Sequence, residues 1–118
     1  MKTIFVVDDN DTSLLAAKAA LDGRYKVYAL PAAEKMLKLA EKILPDLILL
    51  DVVMPEIDGF EAMRRLKADE RLKQVPVIFL SGKDDEESEK QGLELGAAGF
   101  IHKPFSRLAL IEQLEAHL

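Results

Sequence analysis

An open, doubly wound α/β domain is the fold class this sequence predicts, and three observations carry the prediction. Short apolar runs alternate with longer stretches of helical periodicity, and there are five such runs in the chain. The third, Leu47-Ile48-Leu49-Leu50, is apolar without interruption, as a strand must be when helices cover both of its faces. Regular β-α alternation with right-handed crossovers then gives a parallel sheet between two helix layers.

The candidate strands are Thr3–Val7, Lys26–Ala29, Asp46–Leu50, Val77–Leu80 and Gly99–His102, rich in Val, Ile, Leu and Phe and mostly bounded by turn residues. Between them, Leu14, Ala17 and Leu21 fall at i, i+3 and i+7, and Ala33, Met36, Leu37, Ala40 and Leu44 make a fuller apolar stripe. Phe60, Met63 and Leu66 mark a third helix. Leu108, Ile111, Leu114 and Leu118 mark a last one, opened by Ser106 as N-cap. The fourth crossover is a marginal helix. From Asp84 to Leu95 its stripe thins to Leu93 and Leu95, and Gly92 costs about 1 kcal/mol relative to Ala inside a helix. Its acidic start, Asp84-Asp85-Glu86-Glu87, suits the positive end of a helix dipole. The acids of Asp84–Glu89 read as a solvated helix face.

Composition narrows the chemistry. At 118 residues the chain is expected to be one domain, residues 1–118, with no attached effector domain, and large enough for a self-sufficient core. With 16 Lys plus Arg against 21 Asp plus Glu, the formal charge of −5 does not favour phosphate-backbone attraction, so no direct nucleic-acid partner is expected. The absence of cysteine removes disulfides, thiolate catalysis and thiolate zinc sites, and His102 and His117 are too few for the usual transition-metal sets. Any metal should be hard and oxygen-bound. The leading apolar run, Ile4 to Val7, is shorter than a signal-peptide core or a membrane span, so a cytoplasmic protein without a membrane partner is the expectation.

In an open parallel sheet, ligands bind beyond the carboxyl ends of the strands. Here the first strand ends in Asp8-Asp9, the third in Asp51, the fourth in Ser81 and the fifth in Lys103, while the second ends at Leu30 with no charged or hydroxyl group, as suits an edge strand. Three carboxylates at one rim repel one another unless a cation joins them. Mg²⁺ fits oxygen ligands of which few come from protein. A carboxylate can also be a nucleophile that forms an acyl phosphate, and Asp51 is central enough for that. Ser81 could donate to a phosphoryl oxygen, and Lys103 supplies a compact positive charge. Taken singly, Asp8-Asp9-Asn10 is equally a helix start, Ser81-Gly82 an ordinary turn and Lys103-Pro104 a strand stop. Their convergence at one rim is what describes a phosphoryl site.

These residues also carry a resemblance. Val6-Val7-Asp8-Asp9-Asn10, Leu50-Asp51-Val52-Val53-Met54-Pro55-Glu56-Ile57-Asp58-Gly59, Leu80-Ser81-Gly82 and Gly99-Phe100-Ile101-His102-Lys103-Pro104-Phe105 resemble the motifs of the receiver domain of two-component response regulators, over essentially the whole chain. The resemblance implies a CheY-like, flavodoxin-like (βα)5 sheet of strand order 2-1-3-4-5. It implies that Asp51 is the phospho-acceptor and takes its phosphoryl group from a sensor histidine kinase or a histidine phosphotransfer protein. It further implies that Asp9, Asp51 and the backbone carbonyl of Val53 bind Mg²⁺, with Asp8 acting mainly through water. Ser81 and Lys103 are implied to contact the phosphoryl oxygens, and Ser81 and Phe100 to form the switch. Ser81 stands where Thr is frequent in the family and Phe100 where Tyr is frequent, so recognition through that ring must be apolar. Val53 and Lys83 flank the acceptor and are expected to influence the lifetime of the acyl phosphate. Leu14 and Leu15 resemble the docking positions for kinase or phosphotransfer helices.

The function so implied is a phospho-accepting signalling switch rather than a turnover enzyme. Its change on phosphorylation is expected to redistribute the surface of the fourth helix, fifth strand and fifth helix and to reach a downstream protein target. A monomer or a weak phosphorylation-dependent dimer is expected. Two other readings are compatible with the residues. One is a phosphorylation-independent receiver-like scaffold. The other is a phosphatase of the haloacid-dehalogenase type, because Asp9-Asn10-Asp11 after an apolar strand resembles that family's Asp-x-Asp start, with Asp9 as nucleophile. A flavodoxin-like cofactor binder is disfavoured, since acids follow the first strand where a phosphate-cradling loop would be needed.

Overall fold

The structure, a computed structural model, describes residues 1–82 and 86–118. Lys83, Asp84 and Asp85 lie outside the described residues, and with them the expectation placed on Lys83 and the first two acids of the fourth helix.

Strands β1 (Thr3–Val7), β2 (Lys26–Leu30), β3 (Leu47–Asp51), β4 (Val77–Ser81) and β5 (Gly99–His102) alternate with helices α1 (Asp11–Leu21), α2 (Ala33–Ala40), α3 (Gly59–Ala68), α4 (Glu86–Glu94) and α5 (Arg107–His117). All pairings are parallel and the order is β2-β1-β3-β4-β5, as the sequence implies. The pleat sends alternate residues to opposite faces. Phe5, Val7, Ile48, Leu50 and Phe79 pack with Met36, Met63 and Leu66 on the side of α2 and α3. Ile4, Val6, Leu47, Leu49 and Leu80 pack with Leu14, Leu21 and Leu114 on the side of α1 and α5. That two-sided cover is why β3 and β4 are buried along their whole length.

Several boundaries differ from the sequence reading, each for a physical reason. Asp51 and Ser81 belong to their strands, and Asp46 stands outside β3, its carboxylate accepting the Thr3 N–H at 2.7 Å. Helix α2 stops at Ala40 and leaves Leu44 55% exposed. Pro45 disfavours helical backbone at the residue before it, so the apolar stripe outruns the helix. In α5 the buried face is Leu110, Ile111 and Leu114, while Leu108 is 67% exposed. Leu108-Ala109-Leu110-Ile111 is an unbroken apolar run whose periodicity leaves the phase open, and packing against the sheet selects it. Ser106 does cap this helix, its hydroxyl accepting the Ala109 N–H at 3.0 Å.

Helix α4 explains its own weakness. Its buried residue is Gly92, and a Cβ there would come within 2.9 Å of the Phe79 ring. The residue that lowers helix propensity is the one that lets α4 lie close on β4. Leu93, assigned to the apolar stripe, is exposed instead. Among the described residues, no helix is long and apolar enough to cross a membrane.

Candidate functional site

The carboxyl ends of β1, β3, β4 and β5 meet at one rim. Asp51 closes β3 and is 5% exposed, and Asp8, just beyond β1, is wholly buried. One carboxylate oxygen from each of Asp8, Asp9 and Asp51 lies within 4.8 Å of the others, with Asp9 exposed to solvent. Across the sheet, Lys103 Nζ donates to Asp8 Oδ2 at 2.6 Å and to Asp51 Oδ1 at 3.4 Å. Ser81 ends β4 in the buried interior, and its carbonyl accepts the Lys103 N–H at 2.7 Å, which ties the β5 exit to the β4 end. The Lys103-Pro104 bond that follows is cis.

Helix start and acidic rim turn out to be compatible uses of one segment. Asn10 caps α1, accepting the Ser13 N–H at 2.9 Å, and its own N–H donates to Asp8 Oδ1 at 2.9 Å. Capping therefore falls to Asn10, while Asp8 and Asp9 remain at the rim. The close pairing of Lys103 with Asp8 is a partner that sequence reasoning did not supply; strand order brings residues 95 apart in sequence together.

The rim is electrostatically loaded. Burial, reinforced by the negative charge of Asp8, pushes the Asp51 carboxyl up from 3.8 to about 7, and Lys103 opposes the shift. An added cation would relieve this. Hard carboxylate oxygens converging from two strands suit Mg²⁺, which accepts a few carboxylates and retains water on its other positions.

The β3–α3 loop holds the backbone of Asp51. The Gly59 N–H donates to the Val52 carbonyl at 2.9 Å, and Asp58 caps α3 by accepting the Glu61 N–H at 2.8 Å. A Cβ on Gly59 would stand 2.2 Å from the Asp51 carbonyl oxygen. Gly59 is thus a site residue that sequence reasoning quoted without a role; a glycine opening a helix was its visible signal. Within the same loop Glu56 adopts φ of 66°. Replacing it with glycine removes a left-handed strain worth about 1–2 kcal/mol, partly offset by the entropy of the freer unfolded chain. Glu56→Gly is therefore expected to raise stability by about 0.5–1 kcal/mol, read from denaturant midpoints at unchanged m value.

Phe100 is half-buried on β5 and continues a run of rings. Centroids lie 5.4 Å apart for Phe60–Phe79, 6.2 Å for Phe79–Phe100 and 5.3 Å for Phe100–His102, leading from α3 through β4 to the exposed side of β5. Phe79 was hidden in the sequence as one more apolar strand residue. Of the two leucines resembling docking positions, Leu14 belongs to the core and Leu15 is 63% exposed on α1.

Comparison with known proteins agrees with this geometry. Residues 4–115 match the family described as the response regulator receiver domain. The chain belongs to that family. The receiver domain is 36% identical over 114 residues to the response regulator PleD of Caulobacter vibrioides, covering 96% of this chain and 25% of that protein. It is 35% identical over 116 residues to a probable cyclic di-GMP phosphodiesterase of Vibrio cholerae, covering 98% of this chain and 26% of that one. The polar-differentiation response regulator DivK of Brucella ovis is 33% identical over 121 residues, with 99% and 96% covered. The chain thus spans about a quarter of the first two relatives and nearly all of the third. Among solved structures, the chemotaxis protein CheY4 of Vibrio cholerae superposes with a TM-score of 0.94 at 28% identity, covering 100% of this chain and 99% of that chain. The receiver domain therefore has the CheY-like fold and a place in two-component signalling, where such domains interact with histidine kinases and downstream targets. Membership sets aside the haloacid-dehalogenase-type reading.

Proposed function

We propose that this receiver domain is a phospho-accepting switch in which Asp51 takes a phosphoryl group from a phosphohistidine donor. The observation that carries the reading is the buried Asp51 carboxylate, held 3.4 Å from Lys103 Nζ in a cluster with Asp8 and Asp9. In the transfer, an Asp51 carboxylate oxygen forms the O–P bond as the P–N bond to the donor imidazole breaks, and the imidazole takes up a proton. Asp9, Asp51 and the Val53 carbonyl would hold Mg²⁺, with Asp8 in support. Bound there, Mg²⁺ offsets negative charge on the phosphoryl oxygens. Lys103, already between Asp8 and Asp51, would compensate the added charge, and the Ser81 hydroxyl would donate to a phosphoryl oxygen.

Treatment with acetyl phosphate and Mg²⁺, followed by mass spectrometry, tests this directly. Wild type should gain one phosphoryl group and Asp51→Asn none. An unmodified wild type would favour the phosphorylation-independent scaffold, and modification of the variant would move the acceptor elsewhere.

Two consequences concern lifetime and relay. Val53 is 56% exposed beside Asp51, and its side chain would there obstruct the hydrolytic water. Val53→Asn should lower the barrier to dephosphorylation by about 1 kcal/mol, roughly fivefold in rate; equal decay rates would remove Val53 from the account. An acyl phosphate also gives Ser81 and Lys103 a contact absent from the free carboxylate, which biases Phe100 and the α4-β5-α5 face. Hydrogen exchange with and without beryllofluoride should change protection between residues 86 and 105, where α4 has few apolar anchors. Unchanged exchange over that span would defeat the relay.

A further inference from the structure

Three lysines of α2 and the turn that ends it form an exposed cationic group. Lys35, Lys38 and Lys42 follow one another at i, i+3 and i+7, so they share one side of α2 and the turn that ends it. All three are exposed, and among the described residues none meets a carboxylate within 4 Å, a state they share with exposed cations such as Lys2, Lys26 and Lys90; what marks them is that three gather on one side of one helix. Arg71 joins the same turn, its guanidinium donating to the Glu41 carbonyl at 3.0 Å. In a chain of net charge −5, composition does not force unpaired cations onto one helix.

The same lysines line a cleft of about 550 Å³ together with Leu30, Leu39 and Glu41. Leu30 ends β2, an outer strand of the sheet, and both leucines are only half-buried. The cleft therefore offers aliphatic surface beside three cations, a combination that suits a ligand with both properties. A nucleic acid or an anionic bilayer would need a broader cationic face, and the overall negative charge opposes both.

We propose that this cleft docks an acidic segment of a partner protein, with an aliphatic side chain seated against Leu30 and Leu39 and flanking carboxylates meeting Lys35, Lys38 and Lys42. Such a segment supplies the counter-charge that the chain itself withholds from these lysines, and the apolar anchor fixes its register. The cleft stands at the β2 edge, across the sheet from β5 and Phe100, so the docking goes beyond the phospho-acceptor reading and does not depend on it.

The probe is a short capped peptide with glutamates flanking a central leucine, titrated into the ¹⁵N-labelled full chain at low salt. Amide shifts should concentrate at Leu30 and residues 35–42 and weaken as salt screens the charges. Combining Lys35→Ser, Lys38→Ser and Lys42→Ser, all surface changes whose fold the same spectra verify, should weaken binding about tenfold, the sum of three exposed charge contacts. Exchanging the peptide leucine for serine should weaken it as well, and Asp51→Asn should bind like wild type. The proposal is overturned by an absence of shifts at millimolar peptide, by shifts centred elsewhere, by unchanged affinity in the triple variant, or by preferential binding to phosphatidylglycerol vesicles.

Discussion

Gly59→Ala is expected to destabilise the receiver domain by about 3 kcal/mol and to slow phosphorylation of Asp51 in the fraction that folds. The reason is a backbone collision. The new methyl would stand 2.2 Å from the Asp51 carbonyl oxygen and 2.9 Å from the Val52 Cα, and neither is the end of a flexible side chain. Relief requires the start of α3 to move away from β3, which stretches the Gly59–Val52 hydrogen bond and turns the Asp51 backbone. Urea unfolding followed by circular dichroism measures the loss, tryptophan being absent from the chain. A midpoint within error of wild type would mean that the loop accommodates the methyl and that the close approach is not a constraint.

Asp51→Asn acts in the opposite direction. In metal-free buffer above pH 7 it should stabilise the fold by about 2 kcal/mol, because it removes a charge that burial and Asp8 disfavour while Lys103 keeps its bond to Asp8. The pH dependence has a definite sign. The folded chain holds the Asp51 proton up to about pH 7, whereas the unfolded chain releases it near 3.8, so folding takes up a proton in between. Wild-type stability should fall as pH rises across that window, and the advantage of the variant should grow from little near pH 4 to its full size above 7. Mg²⁺ should restore stability to wild type by about 1.4 kcal/mol at tenfold its dissociation constant, and add much less to the variant. Parallel pH profiles for the two proteins would show that Asp51 is not the loaded group.

Two segments of the sequence serve in the structure a use that their local reading did not settle. The acidic tripeptide Asp8-Asp9-Asn10 reads both as a helix start and as a rim, and the fold uses it as both, because capping needs one side-chain oxygen and Asn10 provides it. Gly92 reads as a defect in α4, and the fold uses it as a contact, because only a residue without Cβ lets the helix meet Phe79. In the first case local chemistry offered both uses as alternatives, and the structure showed them to be compatible. In the second it was misleading until the neighbouring strand was in place.

The chain order of apolar runs and helical stripes determined the fold class, the buried middle strands and the rim at which Asp8, Asp9, Asp51, Ser81 and Lys103 gather, because periodicity and strand ends are properties of the linear sequence. Tertiary structure alone decided the phase of α5, the bond from Lys103 to Asp8, the fit of Gly59 against Asp51 and the cleft beside the α2 lysines. Each of these depends on which atoms meet across elements distant in sequence, and close packing resolves such meetings at a scale of tenths of an ångström that no local pattern encodes.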